Sequence, residues 1–294
     1  MLDFERLREL RARHPGAVAE AAAERSRRTL LDYDGRLMIV AADHPARGAL
    51  GVRGVVDAMA DRYDLLRRLA ITLQRPGVDG VLGTCDIIED LLLLGALDNK
   101  IVVGSMNRGG LQGATFELDD RFTGYDAATI EAMGFDGGKM LTRIDLGDPG
   151  SVATLEACGQ AITDLAGRGL MAMVEPFLAH REGGRVVNDL SAAAVRKSVA
   201  VVSGLGATSA YTWLKLPVVD DMELVMAGTT LPTLLLGGDP SPDQQLTYAQ
   251  WKRALELPGV RGLVVGRALL YPPDGDVAGA VDAAVSLVRA GSPT

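Results

Sequence analysis

Short apolar runs alternate with longer stretches of mixed polar and apolar residues along most of this chain. The runs are LMIVAAD (37–43), DGVLGT (79–84), KIVVGS (100–105) and DGGKMLTRI (136–144), then LMAMVEP (170–176), SAYTWLKL (209–216), PTLLLGG (232–238) and RGLVVGR (261–267). Each has the length of a strand, and near-continuous apolar character is what a parallel strand buried on both faces requires. Between most of them the polar–apolar period fits helices, over 57–74, 149–167, 190–205, 244–256 and 276–289. Strands alternating with helices build right-handed βαβ units and a parallel sheet. Eight such units predict a closed (β/α)8 TIM barrel, in the α/β class, rather than an open doubly wound sheet.

Residues 2–30 read as amphipathic helix interrupted near Pro15-Gly16, so the expected organisation is an N-terminal helical extension over 1–35 and a barrel over 36–294. Two stretches read as long loops on the C-terminal rim: 106–133, carrying NRGGLQG, and HREGGRVVND at 180–189. Barrels place their active sites on that rim.

Composition narrows the function classes. A net charge of −8 argues against a nucleic-acid binder, which needs a basic face. A phosphorylated metabolite fits, since an arginine and a few backbone amides suffice to hold it. Cys85 and Cys158 lie far apart without metal-ligand spacing, the usage of a reduced, cytoplasmic protein. No apolar run reaches the roughly 18 residues of a membrane span, and the charged N-terminus reads as helix rather than signal peptide. The three histidines, His14, His44 and His180, are too few and too scattered for a zinc site, so neither metal nor cofactor is expected.

The candidate chemistry lies where charge is expensive. Lys139 and Lys215 sit inside apolar strand runs, Glu175 ends LMAMVEP, and Asp43 ends the first run. Burial disfavours an ammonium unless it is paired, and a neutral lysine amine is a nucleophile. A single such lysine could equally snorkel to solvent along its stem. Four ionisable groups converging on one rim instead supply a nucleophile, a second amine and an acid/base. The last two strands end in glycine, at Gly237 and Gly238 and at Gly266 before Arg267. Glycines there let backbone N–H groups approach an anion, and barrels commonly bind phosphate after strands seven and eight. Simple tight turns are the plainer alternative. His44 and Arg143 are further substrate-binding candidates. Packing or capping is the other reading of His44, and Arg47, Arg143 and Asn107 could each be solvated or hydrogen-bonding residues.

The stretches GGRVVNDLSAAAVRKSVAVVSGLGATSAYTWLK, FDGGKMLTRID and MAMVEPFL, with GGD and VGRALLY, resemble the class I (Schiff-base) aldolase superfamily. That superfamily includes deoxyribose-phosphate aldolase, archaeal-type fructose-bisphosphate aldolase and tagatose-bisphosphate aldolase, and the likeness runs from about residue 36 to residue 272. The resemblance implies that Lys215 is the Schiff-base lysine, that Lys139 and Glu175 assist it, and that Asp43 is the first-strand aspartate. It places the phosphate on GGD and VGRALLY. No tyrosine lies between Lys139 and Asp148 to match the acid/base of the archaeal-type enzymes, which leaves Glu175 in that role.

The implied activity is a metal-independent lyase making or breaking a C–C bond in a phosphorylated ketose or keto sugar acid. Similar barrel proteins are associated with inositol catabolism, which suggests 6-phospho-5-dehydro-2-deoxygluconate. The alternatives are a thiolase-like acyl transferase on the same barrel and a non-catalytic phosphosugar-binding protein. A cytoplasmic homo-oligomer acting on a small phosphorylated sugar, without nucleic-acid or membrane partners, is the expected form.

Overall fold

The computed structural model describes residues 2–32, 34–238 and 243–290. Its strands are β1 (Leu37–Ala41), β2 (Gly80–Gly83), β3 (Ile101–Ser105), β4 (Gly137–Ile144), β5 (Met171–Glu182), β6 (Arg185–Asn188), β7 (Thr212–Pro217), β8 (Thr233–Leu236) and β9 (Val260–Val265). Eight of them pair in the order β4-β3-β2-β1-β9-β8-β7-β5, and a further β4–β5 ladder closes the ring. All these barrel pairings are parallel. The predicted (β/α)8 barrel is therefore the fold.

Period-2 geometry divides each strand between two apolar layers. Leu37, Ile39 and Ala41 join Val103, Met171, Met173, Trp213, Leu234 and Val264 in a cluster built almost wholly from strand residues, the barrel lumen. Met38, Val40 and Ala42 face the helices in the larger outer cluster. At one closing seam the backbones approach too closely for any side chain. A Cβ on Gly262 (φ +136°) would lie 1.8 Å from the Leu37 carbonyl oxygen.

Several helix starts follow side-chain caps. The helix expected from residue 57 begins at Arg62, because Asp61 accepts the backbone N–H groups of Tyr63 and Asp64 and so fixes the first turn there. Helices Cys85–Leu93 and Ala127–Ala132 fill connections for which the sequence reading named none, the second inside the expected 106–133 loop. The segment 180–189, expected as a loop, is a β-hairpin: β5 runs on past Glu175 and returns as antiparallel β6. Gly183 and Gly184 supply the positive φ angles (56° and 82°) of its turn. Pro176 does not end β5. Pairing with β7 stops at Val174, leaving an edge where a proline without an N–H is tolerated.

Two helices, Phe4–Arg13 and Ala17–Glu24, precede the barrel with the break at Pro15-Gly16. Arg11 anchors the first by ion pairs to Glu89 (2.6 Å) and Asp90 (2.7 Å). At the N-terminal end of the barrel, buried Asp79 receives Arg28 (2.5 Å), Arg289 (2.6 Å) and the Met38 N–H (2.6 Å). Among the described residues, no helix is long and apolar enough to cross a membrane.

Candidate active site

The lumen-facing rows continue past the apolar cluster into charge. Asp43 lies two residues beyond Ala41, Glu175 two beyond Met173, and Lys215 two beyond Trp213, so each keeps the inward direction of its apolar predecessor. On β4 the inward row is Lys139, Leu141 and Arg143. These side chains line a cavity of about 260 Å³ at the C-terminal end of the barrel, together with His44, Gly237, Gly238, Gly266 and Arg267. All ten candidates singled out in the sequence thus meet at one site. Asp239 of the GGD motif lies outside the described residues.

The charged groups form one chain of contacts. Lys215 Nζ lies 2.9 Å from Glu175 Oε1, and Lys139 Nζ contacts Glu175 Oε2. Lys139 also lies 3.1 Å from Asp43 Oδ2. Arg108 completes the chain, pairing with the same Asp43 oxygen and donating to the Asp43 carbonyl (2.8 Å) and to Ser105 Oγ (2.8 Å). Lys139 and Lys215 are only 2% and 3% exposed, so neither snorkels to bulk water. Three cations, Arg108, Lys139 and Lys215, therefore share two buried carboxylates.

That excess decides protonation. Burial pushes the Asp43 carboxyl upward, but Lys139, Arg108 and Lys215 outweigh it and hold it well below the usual carboxylate range. The same contest ends at about 2 for Glu175, where Lys139 and Lys215 overcome burial and the repulsion of Asp43. Lys139 moves down: burial leads, and Lys215 and Arg108 add to it against the attraction of Asp43 and Glu175. His44 falls to about 4, because burial, Arg267 and Lys215 outweigh Asp43, so its imidazole is neutral at pH 7. The resting carboxylates are bases, and the cluster is made neutral by the loss of one lysine proton.

The glycine turns lie after β8 and β9. Gly238 has φ +63°, and a Cβ on Gly266 would lie 2.4 Å from the Ala41 carbonyl oxygen, so a side chain at 266 would force β1 and β9 apart. Arg267 follows directly and borders the cavity. The far wall is built differently. Arg143 is gripped by the Glu117 carboxylate (2.5 Å) and the Glu117 carbonyl (3.0 Å). Arg47 is held by Asp120 (2.5 Å) and by the carbonyls of Gly110 (2.9 Å) and Asn107 (2.6 Å). Asn107 itself bridges to the backbone of Leu141 at both ends of its amide, and so fastens the loop after β3 to β4.

Sequence reasoning missed Arg108, Ser105, Glu117 and Asp120. A signal existed for Arg108, a cation three residues past a strand on the catalytic rim. The pairing of Glu117 with Arg143 crosses 26 residues and leaves no local pattern. Among the described residues, no group of three or more His, Cys, Asp or Glu side chains is arranged to hold a metal ion.

Comparison with known proteins places the chain in a family. The family model described as Cgl0159-like matches residues 35–285, and the chain belongs to that family. It is 59% identical to Cgl0159 from Corynebacterium glutamicum (Brevibacterium flavum), whose crystal structure superposes with a TM-score of 0.96 over 98% of this chain and 97% of that one. A Schiff base forming fructose-1,6-bisphosphate aldolase matches at 20% identity, TM-score 0.65, over 92% of this chain and 99% of its own. An archaeal fructose 1,6-bisphosphate aldolase matches at 19% identity, TM-score 0.65, over 93% and 100%. At such identity the aldolase likenesses establish a shared fold. No curated protein matches the chain.

Proposed function

We propose that this member of the Cgl0159-like family is a class I aldolase acting on a phosphorylated ketose or keto sugar acid, with Lys215 as the Schiff-base nucleophile. The observation that carries this reading is the buried relay Lys215–Glu175–Lys139–Asp43–Arg108 on the wall of one cavity. Lys215 has one carboxylate partner and Lys139 has two, so Lys215 is the amine that can leave its ion pair and reach a carbonyl. The aldolase fold of the solved neighbours, and the Schiff base named for one of them, support the same assignment.

The neutral Lys215 amine adds to the substrate carbonyl carbon, and its proton passes to Glu175, 2.9 Å away. Glu175 becomes basic enough to accept it because one of the two cations depressing it has just lost its charge. Returned to the alkoxide, that proton completes the neutral carbinolamine; a second proton, taken from water and delivered by Glu175 to the carbinolamine hydroxyl, lets water leave and an iminium form. Glu175 then takes the proton of the β-hydroxyl. The C–C bond breaks, an aldehyde departs, and the bonding electrons reach the iminium nitrogen as an enamine. Protonation of the enamine carbon and hydrolysis by water release the second product and restore the lysine. Asp43 orients a substrate hydroxyl, and Lys139 is fixed beside the nucleophile between two carboxylates. His44 is neutral and can donate a hydrogen bond to substrate. Gly237, Gly238, Gly266 and Arg267 receive the phosphate.

The test is intact-mass analysis and peptide mapping after borohydride reduction with a panel of phosphorylated ketoses that includes 6-phospho-5-dehydro-2-deoxygluconate. A reduced adduct on Lys215 is the expected result. An adduct on Lys139 reverses the two lysines' roles, and a panel without any adduct rules out the imine.

A further inference from the structure

The ring order gives the cavity two ends. β4 stands four strands from β9 in either direction, and β3 stands four from β8, so the loop after β3 and the end of β4 face the glycine turns across the barrel mouth. An elongated substrate anchored at Gly237, Gly238, Gly266 and Arg267 therefore extends toward Arg143 and the 107–120 loop. Both guanidiniums there, that of Arg143 from the end of β4 and that of Arg47 reaching over from the turn after β1, are already neutralised. Arg143 holds Glu117 at 2.5 Å and Arg47 holds Asp120 at 2.5 Å, with all four residues buried. Each arginine keeps only a buried Nε–H without a partner, and neither can turn its paired Nη groups to a second phosphate without abandoning a buried carboxylate, which then repels the incoming dianion. Breaking a buried pair on one side is the costly operation, because the remaining charge stays unsolvated.

We infer that the substrate carries a single phosphate, and that Glu117 and Asp120 exclude a bisphosphate by neutralising the two cavity-lining arginines, Arg143 and Arg47, that a second anionic end would need. This rests on the aldolase reading only in placing the first phosphate at the glycine turns. Glu117 is then a specificity-determining residue: it contacts no reacting atom, yet it removes the donor a second phosphate would use.

The decisive measurement is calorimetric binding of two polyols to the full-length protein, a hexitol 6-phosphate and the corresponding hexitol 1,6-bisphosphate. Neither has a carbonyl, so their affinities are independent of any imine, and borohydride trapping with ketoses tests the Schiff base separately. The monophosphate should bind at least as tightly as the bisphosphate. A bisphosphate tighter by about 10-fold or more, the gain expected of one well-held extra anion, would overturn the inference. So would a failure of both to bind, since no phosphate would then be held. Glu117→Gln keeps the side-chain length and releases Arg143. With the fold verified by circular dichroism, it should improve bisphosphate binding by about 10-fold and leave the monophosphate within about 2-fold. An unchanged ratio would overturn the assignment of Glu117.

Discussion

Arg108 offers the sharpest test of how the relay controls protonation. Arg108→Met removes one of three cations while keeping most of the buried stem. Arg108 and Lys139 meet on the same oxygen of Asp43. Their charges therefore lie roughly 5–6 Å apart and repel by about 3 kcal/mol at an effective dielectric constant of about 20. Fully expressed, that repulsion is about 2 pK units, and relaxation around a substituted site leaves about 1 unit as a conservative expectation. The sign is fixed. With Arg108 gone, two lysine cations face two carboxylates, and shedding a proton no longer neutralises the cluster but leaves it negative. The macroscopic ionisation that frees the amine must move to higher pH. The assay is kcat/KM against pH for retro-aldol cleavage, where the acid limb should shift upward by about 1 unit or more while the alkaline plateau is largely retained. Arg108→Lys should restore the limb toward its original position. An acid limb that stays in place or moves down, in a protein with native melting behaviour, would refute the argument that the third cation sets the lysine ionisation.

Lys215→Ala and Lys215→Arg should both abolish turnover and borohydride trapping with the fold intact, because arginine keeps the charge but cannot form the imine; residual trapping in either variant contradicts the nucleophile assignment. Arg267→Ala should raise KM for a phosphorylated substrate by about 10-fold or more, about 1.4 kcal/mol, with kcat less affected; an unchanged KM would move the phosphate elsewhere. His44, held down at about 4 in the fold, leaves the unfolded chain the better proton acceptor between pH 6.5 and 4. Its contribution to stability is present above pH 6.5 and lost as pH falls to 4, so His44→Gln should flatten that part of a urea-midpoint-against-pH curve. An equally steep curve in the variant would assign the slope to other groups.

Much of the architecture was legible because strand burial leaves a direct trace. The run LMIVA is apolar at every position, since one face meets the lumen and the other the helices. Lys139, Glu175 and Lys215 stood out as interruptions of that pattern, and the structure brings them together as the interruptions suggested. Elements that depend on pairing across the chain were harder to see. The 180–189 segment carries the Gly-Gly signal of a hairpin turn, but its polar, half-exposed second strand reads as loop without its partner. The sequence position of Arg143 gives its direction toward the cavity and not its company. Its partner Glu117 comes from a loop whose course is set by Asn107 gripping Leu141.

The strict inward alternation of the strands has an evolutionary consequence. Side-chain direction reverses with every residue, so deleting one residue of β5 ahead of Glu175 would turn the glutamate out among the helices, whatever its chemical fitness. Deleting two would restore the direction but draw the carboxylate about 6.6 Å down the barrel, at a rise of about 3.3 Å per residue. Point substitutions at 43, 139, 175 and 215 keep the side chain aimed at the cavity, whereas length changes inside β4, β5 or β7 redirect it. Length changes in the rim loops leave those directions intact. Those same loops carry Glu117 and Asp120, so the family can revise what it accepts without disturbing how it reacts.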